Sequence, residues 1–417
     1  MRYLLGLIAL LSPALAPMSA QAFCGFYVGQ ADADLFNRAS KVVYTRLGDQ
    51  SVITMASDYE GALSDFAMVV PVPTVLEERD VRTVDPRIVD HLDRFSAPRL
   101  VEYFDDNPCA DGSEPRLFAE ENVDNAILAT VPAQDMAVQI EREFRVDGYD
   151  IKILSASESD GLLSWLNANG YQTPNGALPV LEDYIRQGMK FFVAQVSLDA
   201  QVSEATLNPL QVSFESDDFM LPIRLGMVNA PQGESQELLA WFLTDSGQVE
   251  VSNYQTLKIP TDAVIPAEVR EDFGDFYRHV FTTANVRQDF PTVFMEFGWD
   301  TSWCDPCAAS PLSASQLREL GVPSGVQPYV TRLHMRYEAA THRRDLALVE
   351  TGDRGNFQGR YIIENPFDVS VWNLLRACAR DYLSERAERD EAAAELYKEL
   401  TGEDFISSIR YAPTHDS

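Results

Sequence analysis

The sequence contains few basic residues, histidines and cysteines, and it lacks the common catalytic motifs. Lys and Arg number 33 against 64 Asp and Glu, with five His and five Cys. No Gly-x-Ser-x-Gly turn, His-Glu-x-x-His helix, Walker loop or Gly-x-Gly-x-x-Gly loop occurs. The formal net charge of −31 makes nucleic acid and anionic lipid poor partners. We therefore predict no nucleic-acid binding, and the sequence implies no cofactor or metal.

Disorder is also disfavoured, because hydrophobic residues make up 46% of the chain and aromatic residues 10%. This composition is sufficient for a substantial core, so the acidity indicates a solvated surface. The length exceeds what one hydrophobic core usually serves. We predict a signal peptide at residues 1–22, a β-rich domain at 23–145, an α+β domain at 146–290, a CxxC-containing β segment at 291–365 and a helical segment at 366–417.

The N-terminus has the pattern of a secretory signal peptide. Arg2 precedes an apolar run over residues 4–16 and a small-residue site at residues 20–22, which predicts cleavage before Phe23. The run is shorter than the roughly 20 residues that cross a bilayer, which disfavours an uncleaved anchor. The bulky Phe23 disfavours lipid attachment at Cys24. We expect a periplasmic or secreted protein, without a transmembrane segment after cleavage, whose cysteines form disulfides.

Hydrophobic periodicity predicts an α+β fold, mainly of antiparallel strands with helical crossovers. Strands are predicted over residues 41–47, 51–57, 66–72, 100–104, 149–154, 190–198, 210–215, 220–225, 238–244, 249–257 and 329–337. Helices are predicted from residue 86 to Pro98, over 158–168 and 177–187, and from 367 to 400. Turn residues at 48–49 and 246–247 each predict a hairpin. The helix pair between residues 154 and 190 predicts a right-handed crossover on one sheet face.

The C-terminal helix carries an apolar stripe of Leu374, Leu375, Cys378 and Tyr382. Such a stripe most often packs on the parent domain. A helix that binds a partner is the alternative.

Residues 64–73 and 216–225 are similar to each other, since each enters an apolar run through an Asp-Phe step. A duplicated β unit is one hypothesis. The alternative is that buried strands simply resemble one another.

Several segments together resemble a known family. These are residues 65–73, 161–196, 221–226, 304–307 and 356–361. They are similar to the bacterial secreted family called domain of unknown function 2330, over nearly the whole chain after the signal. The resemblance implies an exported, cysteine-containing protein of no established activity, so no catalytic or binding residue carries over.

The sharpest chemical candidate is the CxxC motif of Cys304 and Cys307, which follows Trp303. It is similar to a thioredoxin-like centre, in which Cys304 would be the nucleophile and Cys307 the resolving thiol. However, Pro311 would interrupt a following helix early, and Pro328 stands too near in sequence to serve as the cis proline of such folds. A structural disulfide is therefore the favoured interpretation.

Five cysteines leave one unpaired. We expect Cys24 to pair with Cys109 around the first β unit, while Cys304, Cys307 and Cys378 compete for a second bond. A zinc site from the last three and a histidine is an alternative, although no second cysteine pair stands at finger spacing.

One basic stripe stands out against the acidic background. Arg332, His334 and Arg336 share one face of the predicted strand 329–337, which makes them candidates for binding an anion or acidic peptide. The favoured alternative is that the stripe pairs with the protein's own carboxylates.

The sequence thus predicts an exported, disulfide-stabilised binding or structural component of the envelope, with an unidentified protein or small-molecule partner. The alternative is a thiol-disulfide oxidoreductase that uses Cys304 and Cys307.

Overall fold

The computed structural model describes residues 26–29, 36–60, 66–109, 139–157, 159–169, 171, 173, 176–196, 208–228, 235–303, 309–369 and 375–405. The predicted signal peptide, Cys24, Cys304 and Cys307 lie outside these residues. The described residues form an α+β fold, as the periodicity predicts. No helix in these ranges combines the length and apolarity that crossing a membrane requires.

The described ranges contain twenty strands and seven α-helices. The strands are β1 (Phe26–Gly29), β2 (Phe36–Leu47), β3 (Gln50–Glu60), β4 (Phe66–Val72), β5 (Val81–Thr83), β6 (Arg99–Phe104), β7 (Gln139–Val146), β8 (Tyr149–Ser155), β9 (Lys190–Val196), β10 (Leu210–Glu215), β11 (Met220–Leu221), β12 (Gln236–Thr244), β13 (Val249–Val251), β14 (Gln255–Lys258), β15 (Ala263–Val264), β16 (Thr292–Asp300), β17 (Tyr329–Tyr337), β18 (Leu346–Glu350), β19 (Phe357–Gln358) and β20 (Arg360–Asn365). The helices are α1 (Pro86–Ser96), α2 (Ser159–Ala168), α3 (Ala177–Arg186), α4 (Arg224–Val228), α5 (Phe273–Val286), α6 (Ala314–Glu319) and α7 (Ala377–Thr401).

The larger of the two main sheets has the order β14-β16-β17-β12-β2-β3-β10-β5, with β19 added on β16. Most of its pairs are antiparallel, but β12 runs parallel to β2 and β14 runs parallel to β16. The predicted hairpin of β2 and β3 is confirmed, and it turns at Gly48 with a φ of 62°. This sheet takes strands from three of the predicted sequence segments, so the segment boundaries stay a prediction.

The smaller main sheet has the order β1-β4-β9-β8-β7, and all its pairs are antiparallel. The helices α2 and α3 connect β8 to β9 and pack on one face, as predicted. However, β8 and β9 are antiparallel neighbours. The right-handed crossover rule applies to parallel strands, so the predicted right-handed crossover is wrong. Instead, α2 and α3 lead the chain from β8 to its antiparallel neighbour β9.

The two main sheets pack face to face, with helices on both outer faces. Along β2, Val42 and Tyr44 point into the core between the sheets, while Val43 packs beneath α1 with Leu92 and Trp241. On the other side, α2 and α3 cover the smaller sheet. Alternate side chains of a strand therefore pack into apolar layers on opposite faces of the sheet. This explains why the strands are nearly continuous hydrophobic runs.

The helix α1 illustrates how local sequence sets these elements. Asp85 caps it by accepting from the backbone amide of Arg87, and Pro86 occupies the first turn. Ile88, Leu92 and Phe95 line its buried face, as predicted.

The C-terminal helix α7 packs on α5, which confirms that it joins the parent fold. Tyr397 stacks on Phe276 of α5 with ring centroids 5.6 Å apart, and Gly402 ends the helix with a φ of 77°. The predicted stripe holds only in part, because Tyr382 is buried whereas Leu375 is 86% exposed.

Three predictions in the middle of the chain are wrong. The strand expected over residues 220–225 is only β11, after which the chain turns into α4. The hairpin expected at residues 246–247 does not form, because β12 pairs with β2 and β17 while β13 pairs with β18. A Cβ at Gly247 would lie 2.2 Å from the carbonyl oxygen of Asp353, so the turn brings the chain against another segment.

The third is the duplicated β unit. Its first copy contains β4, which lies inside the smaller main sheet between β1 and β9, and its second contains β11, at the edge of a three-stranded sheet β11-β18-β13. The strand orders differ, so the similarity of the two segments reflects burial rather than duplication.

Cys109 forms a disulfide with Cys378, so the expected bond between Cys24 and Cys109 is wrong. The reason is the parallel pairing of β6 with β20, which places the loop after β6 beside the start of α7. There Tyr382 donates its hydroxyl to Asp105 Oδ2 at 2.7 Å. Cys378 is consequently unavailable to Cys304, to Cys307 or to a zinc ion.

Replacing Cys109 and Cys378 together by Ser should lower the free energy of unfolding by about 3–5 kcal/mol, because the bond restricts a long loop of the unfolded chain. The two cysteines are separated by 269 residues. Guanidinium unfolding of the oxidised protein measures the change, with Cys24→Ser as the control. An unchanged midpoint in the double variant would contradict this role.

Candidate functional site

Arg332, His334 and Arg336 do share one face of β17, and Leu333 lies on the opposite face in the core between the sheets. Helices α1 and α5 cover the polar face. Phe281 of α5 stacks on the His334 ring with centroids 3.6 Å apart. The stripe therefore lies between a sheet and two helices.

The carboxylate at the centre of this layer belongs to Glu296 of β16, which is 0% exposed. Arg332 Nε donates to Glu296 Oε2 at 2.7 Å, and His334 Nδ1 lies 2.6 Å from Oε1. Tyr277 of α5 donates its hydroxyl to the same carboxylate. Arg332 also donates from Nη1 to Asp93 Oδ1 of α1 at 2.7 Å. One buried carboxylate thus links two strands and two helices.

The edge of this layer is less buried. Arg336 Nε donates to Glu237 Oε1 of β12 at 2.8 Å, while Lys41 Nζ donates to Asp93 Oδ2 at 2.9 Å. His334 Nε2 lies 3.7 Å from the second oxygen of Glu237. We name this set of eight residues the charge cluster: Lys41, Asp93, Glu237, Tyr277, Glu296, Arg332, His334 and Arg336.

Mutual pairing keeps Glu296 and His334 ionised. Burial opposes the charge of Glu296, but His334 and Arg332 outweigh it and lower the Glu296 pKa to about 2. Burial likewise disfavours the charged His334, but Glu296 and Glu237 raise its pKa to about 9. Burial, followed by the charge of Glu296, raises the pKa of Tyr277 well above its usual range. At neutral pH, a neutral Tyr277 therefore donates to an ionised Glu296 beside a charged His334.

These contacts are those of the alternative interpretation, in which the basic stripe pairs with the protein's own carboxylates. Anion binding by Arg332, His334 and Arg336 stays a prediction. Sequence reasoning missed the acidic partners, although Glu296 gives a signal: it is a lone acid inside the apolar run of residues 293–297. A lone acid in a buried strand requires a cationic partner.

A cavity of about 220 Å³ lies between the two main sheets. Strands β2, β3 and β10 form one wall, and β4 forms the opposite wall. The walls are mostly apolar, and they include Tyr44, Ile53, Met55, Val70, Val72, Met189, Val212, Phe214, Met220 and Leu221. The polar lining residues are Gln187, Ser216 and Asp218. Tyr44 also lines the cavity, and its hydroxyl lies 3.1 Å from Ser51 Oγ.

Asp345 fixes the segment that closes one end of this cavity. Its Oδ1 accepts from the backbone amide of Ile223 at 2.9 Å and from the Tyr184 hydroxyl at 2.6 Å. Arg224 Nε donates to Oδ2 of the same carboxylate at 3.1 Å. Leu221 and Pro222 line the cavity and directly precede this anchored stretch, so Asp345 fixes the backbone beside the wall.

Sequence analysis missed the cavity, although both of the mutually similar segments contribute residues to its lining. Residues 70–73 come from the first segment, and Ser216, Asp218, Met220, Leu221 and Pro222 come from the second. The pattern that suggested duplication therefore marked two apolar segments of one site.

Both cysteines of the CxxC motif lie outside the described ranges, which exclude residues 304–308. Its redox role stays a prediction. Trp303, the last described residue before it, is 47% exposed and contacts Trp299 edge to face.

Comparison with known proteins gives one family. A model of family DUF2330, described as an uncharacterized protein conserved in bacteria, matches residues 18–349. The match contains all residues that line the cavity and the whole charge cluster, and it ends before β20 and α7. No curated protein and no solved structure matches the chain.

Arg332→Gln should cost about 3–5 kcal/mol of unfolding free energy, because it leaves the buried Glu296 and Asp93 short of a cation. Arg336→Gln should cost about 1 kcal/mol, since its side chain is 25% exposed and Glu237 keeps His334 nearby. Urea unfolding of both variants at pH 7 measures the difference. Equal losses of unfolding free energy in the two variants would show that Arg332 stabilises the fold no more than Arg336 does.

The raised pKa of His334 predicts a loss of stability at high pH. The folded value of about 9 exceeds the ordinary 6.5, so the contribution is complete below pH 6.5 and disappears as pH rises through 9. It amounts to about 3 kcal/mol. His334→Gln should remove this loss from urea unfolding measured between pH 6.5 and 9.5.

His342→Gln is the matched control, because burial lowers the His342 pKa to about 4 and keeps the residue neutral throughout that range. This variant should retain the wild-type pH dependence. A wild-type stability that does not fall above pH 7 would contradict the proton on His334.

Proposed function

The chain belongs to the bacterial family DUF2330, and from that premise we propose that it is an exported binding protein that holds a small apolar ligand between its two main sheets. The cavity is the observation that carries this proposal. It is closed by strands on two sides and lined mainly by apolar side chains, with a few polar groups. This is the usual composition of a small-molecule site.

The size of the cavity limits the ligand. Its 220 Å³ is less than the roughly 300–1,000 Å³ of sites for drug-sized molecules. At about 30 Å³ for each water-sized group, it holds roughly seven such groups. Burying seven methylenes contributes about 6 kcal/mol. The cost of association subtracts several kcal/mol from this gain, so we expect dissociation constants in the millimolar range or weaker.

Export is part of the same proposal. The N-terminal pattern favours a cleaved signal peptide, which would place the protein in the periplasm or outside the cell. The disulfide between Cys109 and Cys378 suits an oxidising compartment, where such bonds persist.

Linear 1-alkanols from hexanol to decanol test the cavity directly. We expect saturable binding by calorimetry and a raised melting temperature with the purified protein, since a ligand that binds only the folded state stabilises it. Val70→Phe and Val212→Phe, which place a phenyl ring in the cavity from opposite walls, should abolish both effects.

Val286→Phe is the matched control, because Val286 is 79% exposed and is not part of the cavity wall. It should bind the alkanols like the wild type, and circular dichroism should show that all variants fold. Unchanged binding in both folded cavity variants would overturn the proposal.

A further inference from the structure

We infer that the ligand of this cavity is a short aliphatic carboxylate whose oxygen accepts a hydrogen bond from the Tyr44 hydroxyl. This inference rests on the proposed function and names the chemical class of its ligand. Three observations support it. The buried hydroxyl protons beside the cavity outnumber their acceptors, Arg46 is a buried cation without a carboxylate partner, and its charge outweighs that of Asp218 at Tyr44.

Tyr44, Ser51 and Arg46 lie together on the face of the larger sheet that meets the smaller one. Tyr44 points into the core between the sheets, and Arg46 follows it by two residues on β2, so both side chains leave the strand on this face. Ser51 of β3 pairs with Arg46 in register and therefore shares the face. Tyr44 lines the cavity, as does Phe214, which pairs with Ser51 on β10. The three polar side chains thus lie beside the cavity.

The hydrogen bonds of these residues leave one hydroxyl proton without an acceptor. Arg46 Nη1 donates to Ser51 Oγ at 2.9 Å, and Ser51 Oγ lies 3.1 Å from the Tyr44 hydroxyl oxygen. The two hydroxyl groups carry two protons, of which only one can lie between their oxygens. Both residues are 0% exposed, and no other acceptor meets either hydroxyl in the described part of the chain. A buried donor without an acceptor costs about 1–3 kcal/mol, so the site favours a ligand that supplies one.

Tyr44 is the residue that can offer its proton to a ligand, because it lines the cavity and Ser51 does not. Arg46 donates to Ser51, which polarises the Ser51 hydroxyl to donate in turn to Tyr44. The donors then run from Arg46 through Ser51 and Tyr44 to the ligand. An ammonium group has no lone pair and cannot accept this proton, so an amine does not fit.

Arg46 favours a charged acceptor over a neutral one. It is 8% exposed, and within the described ranges its guanidinium has no ion pair. Beyond Ser51 it reaches the backbone carbonyl oxygens of Asp217 and Asp218 only at 3.5 Å, and it lies 5.5 Å from the centre of the Phe219 ring. Buried charges in proteins are normally paired. Because folding has already removed water from this cation, a nearby ligand carboxylate is attracted without that part of the desolvation cost.

The acid on the cavity wall does not reverse this preference. Asp218 is the one carboxylate among the lining residues, but it is exposed, so water and salt screen its charge. Burial raises the pKa of the Tyr44 hydroxyl, Ser51 and the charge of Arg46 lower it, and Asp218 raises it least. The raised pKa keeps the proton on Tyr44 at neutral pH, and the stronger charge at this hydroxyl is positive.

Sodium hexanoate, 1-hexanol and hexylamine share one chain length and test the inference by calorimetry on the purified protein. Measurement at pH 7 in about 0.15 M salt limits the reach of the protein's general negative charge to about 8 Å. We expect hexanoate to bind about tenfold more tightly than hexanol, as a hydrogen bond to a charged group allows, and hexylammonium to bind most weakly. Tyr44→Phe removes the donor and Arg46→Met removes the charge, so each should lower the affinity ratio of hexanoate to hexanol to about one.

Arg278→Gln is the matched control, because it also removes one positive charge, from a side chain that is 66% exposed and outside the cavity wall. It should keep the wild-type ratio. Circular dichroism should show that each variant folds, and if Arg46→Met does not fold, Tyr44→Phe decides the inference.

The outcomes separate this inference from the binding function. Equal affinities of the wild type for hexanoate and hexanol, or tightest binding of hexylammonium, would overturn the inference while the binding function stands. A hexanoate preference that either folded cavity variant keeps would also overturn it. Failure of all three probes to bind would overturn the binding function, and the inference with it. A preference that the cavity variants lose and Arg278→Gln retains would support it.

Discussion

The carboxylate of Glu296 must find cations and donors inside the protein, because it is fully buried between the larger sheet and its helices. Arg332 and His334 come from the adjacent strand β17, Tyr277 comes from α5, and Asp93 of α1 takes the second side of Arg332. Leaving any of these groups unpaired would cost several kcal/mol. The register of β16 on β17 and the positions of both helices are therefore coupled, since each satisfies the same charge.

A second, partly buried carboxylate lies beside one end of the cavity. Asp345 holds Tyr184 of α3, the backbone of Ile223 and the side chain of Arg224 at one point. These groups belong to the helix layer of the smaller sheet and to the segment that closes the cavity. An apolar interior would gain from collapsing onto itself, but polar anchors at its edge set the positions of the surrounding segments. Glu296 thus orders the larger sheet, and Asp345 orders one end of the cavity.

Local patterns predicted the local structure well. Alternation, turn residues and caps predicted several elements to within a few positions of their observed bounds. These are β4, β10, β17, the hairpin at Gly48 and the helix α1. Pairings over long distances were not accessible in this way. Nothing near Val249 shows that β13 pairs with β18, and nothing near Cys109 indicates Cys378, because sheet order is decided by segments that are far apart in sequence. The basic stripe could be predicted because its residues alternate along one strand. Its acidic partners could not, because they lie on other elements. The cavity arises from the spacing between two sheets, which no single segment encodes.

The pairing of β2 with β12 has a consequence for the order in which this protein assembles. The hairpin of β2 and β3 forms from neighbouring residues, yet its other edge stays open until β12 has been synthesised, and β12 in turn needs β17. A nascent chain thus exposes an apolar sheet edge until residue 244 has been made, which is a state prone to aggregation. The partner cysteine of Cys109 arrives later still, near the end of the chain. This bond can therefore close only after residue 378 has been made, and an oxidant that acts earlier can join Cys109 only to a wrong thiol.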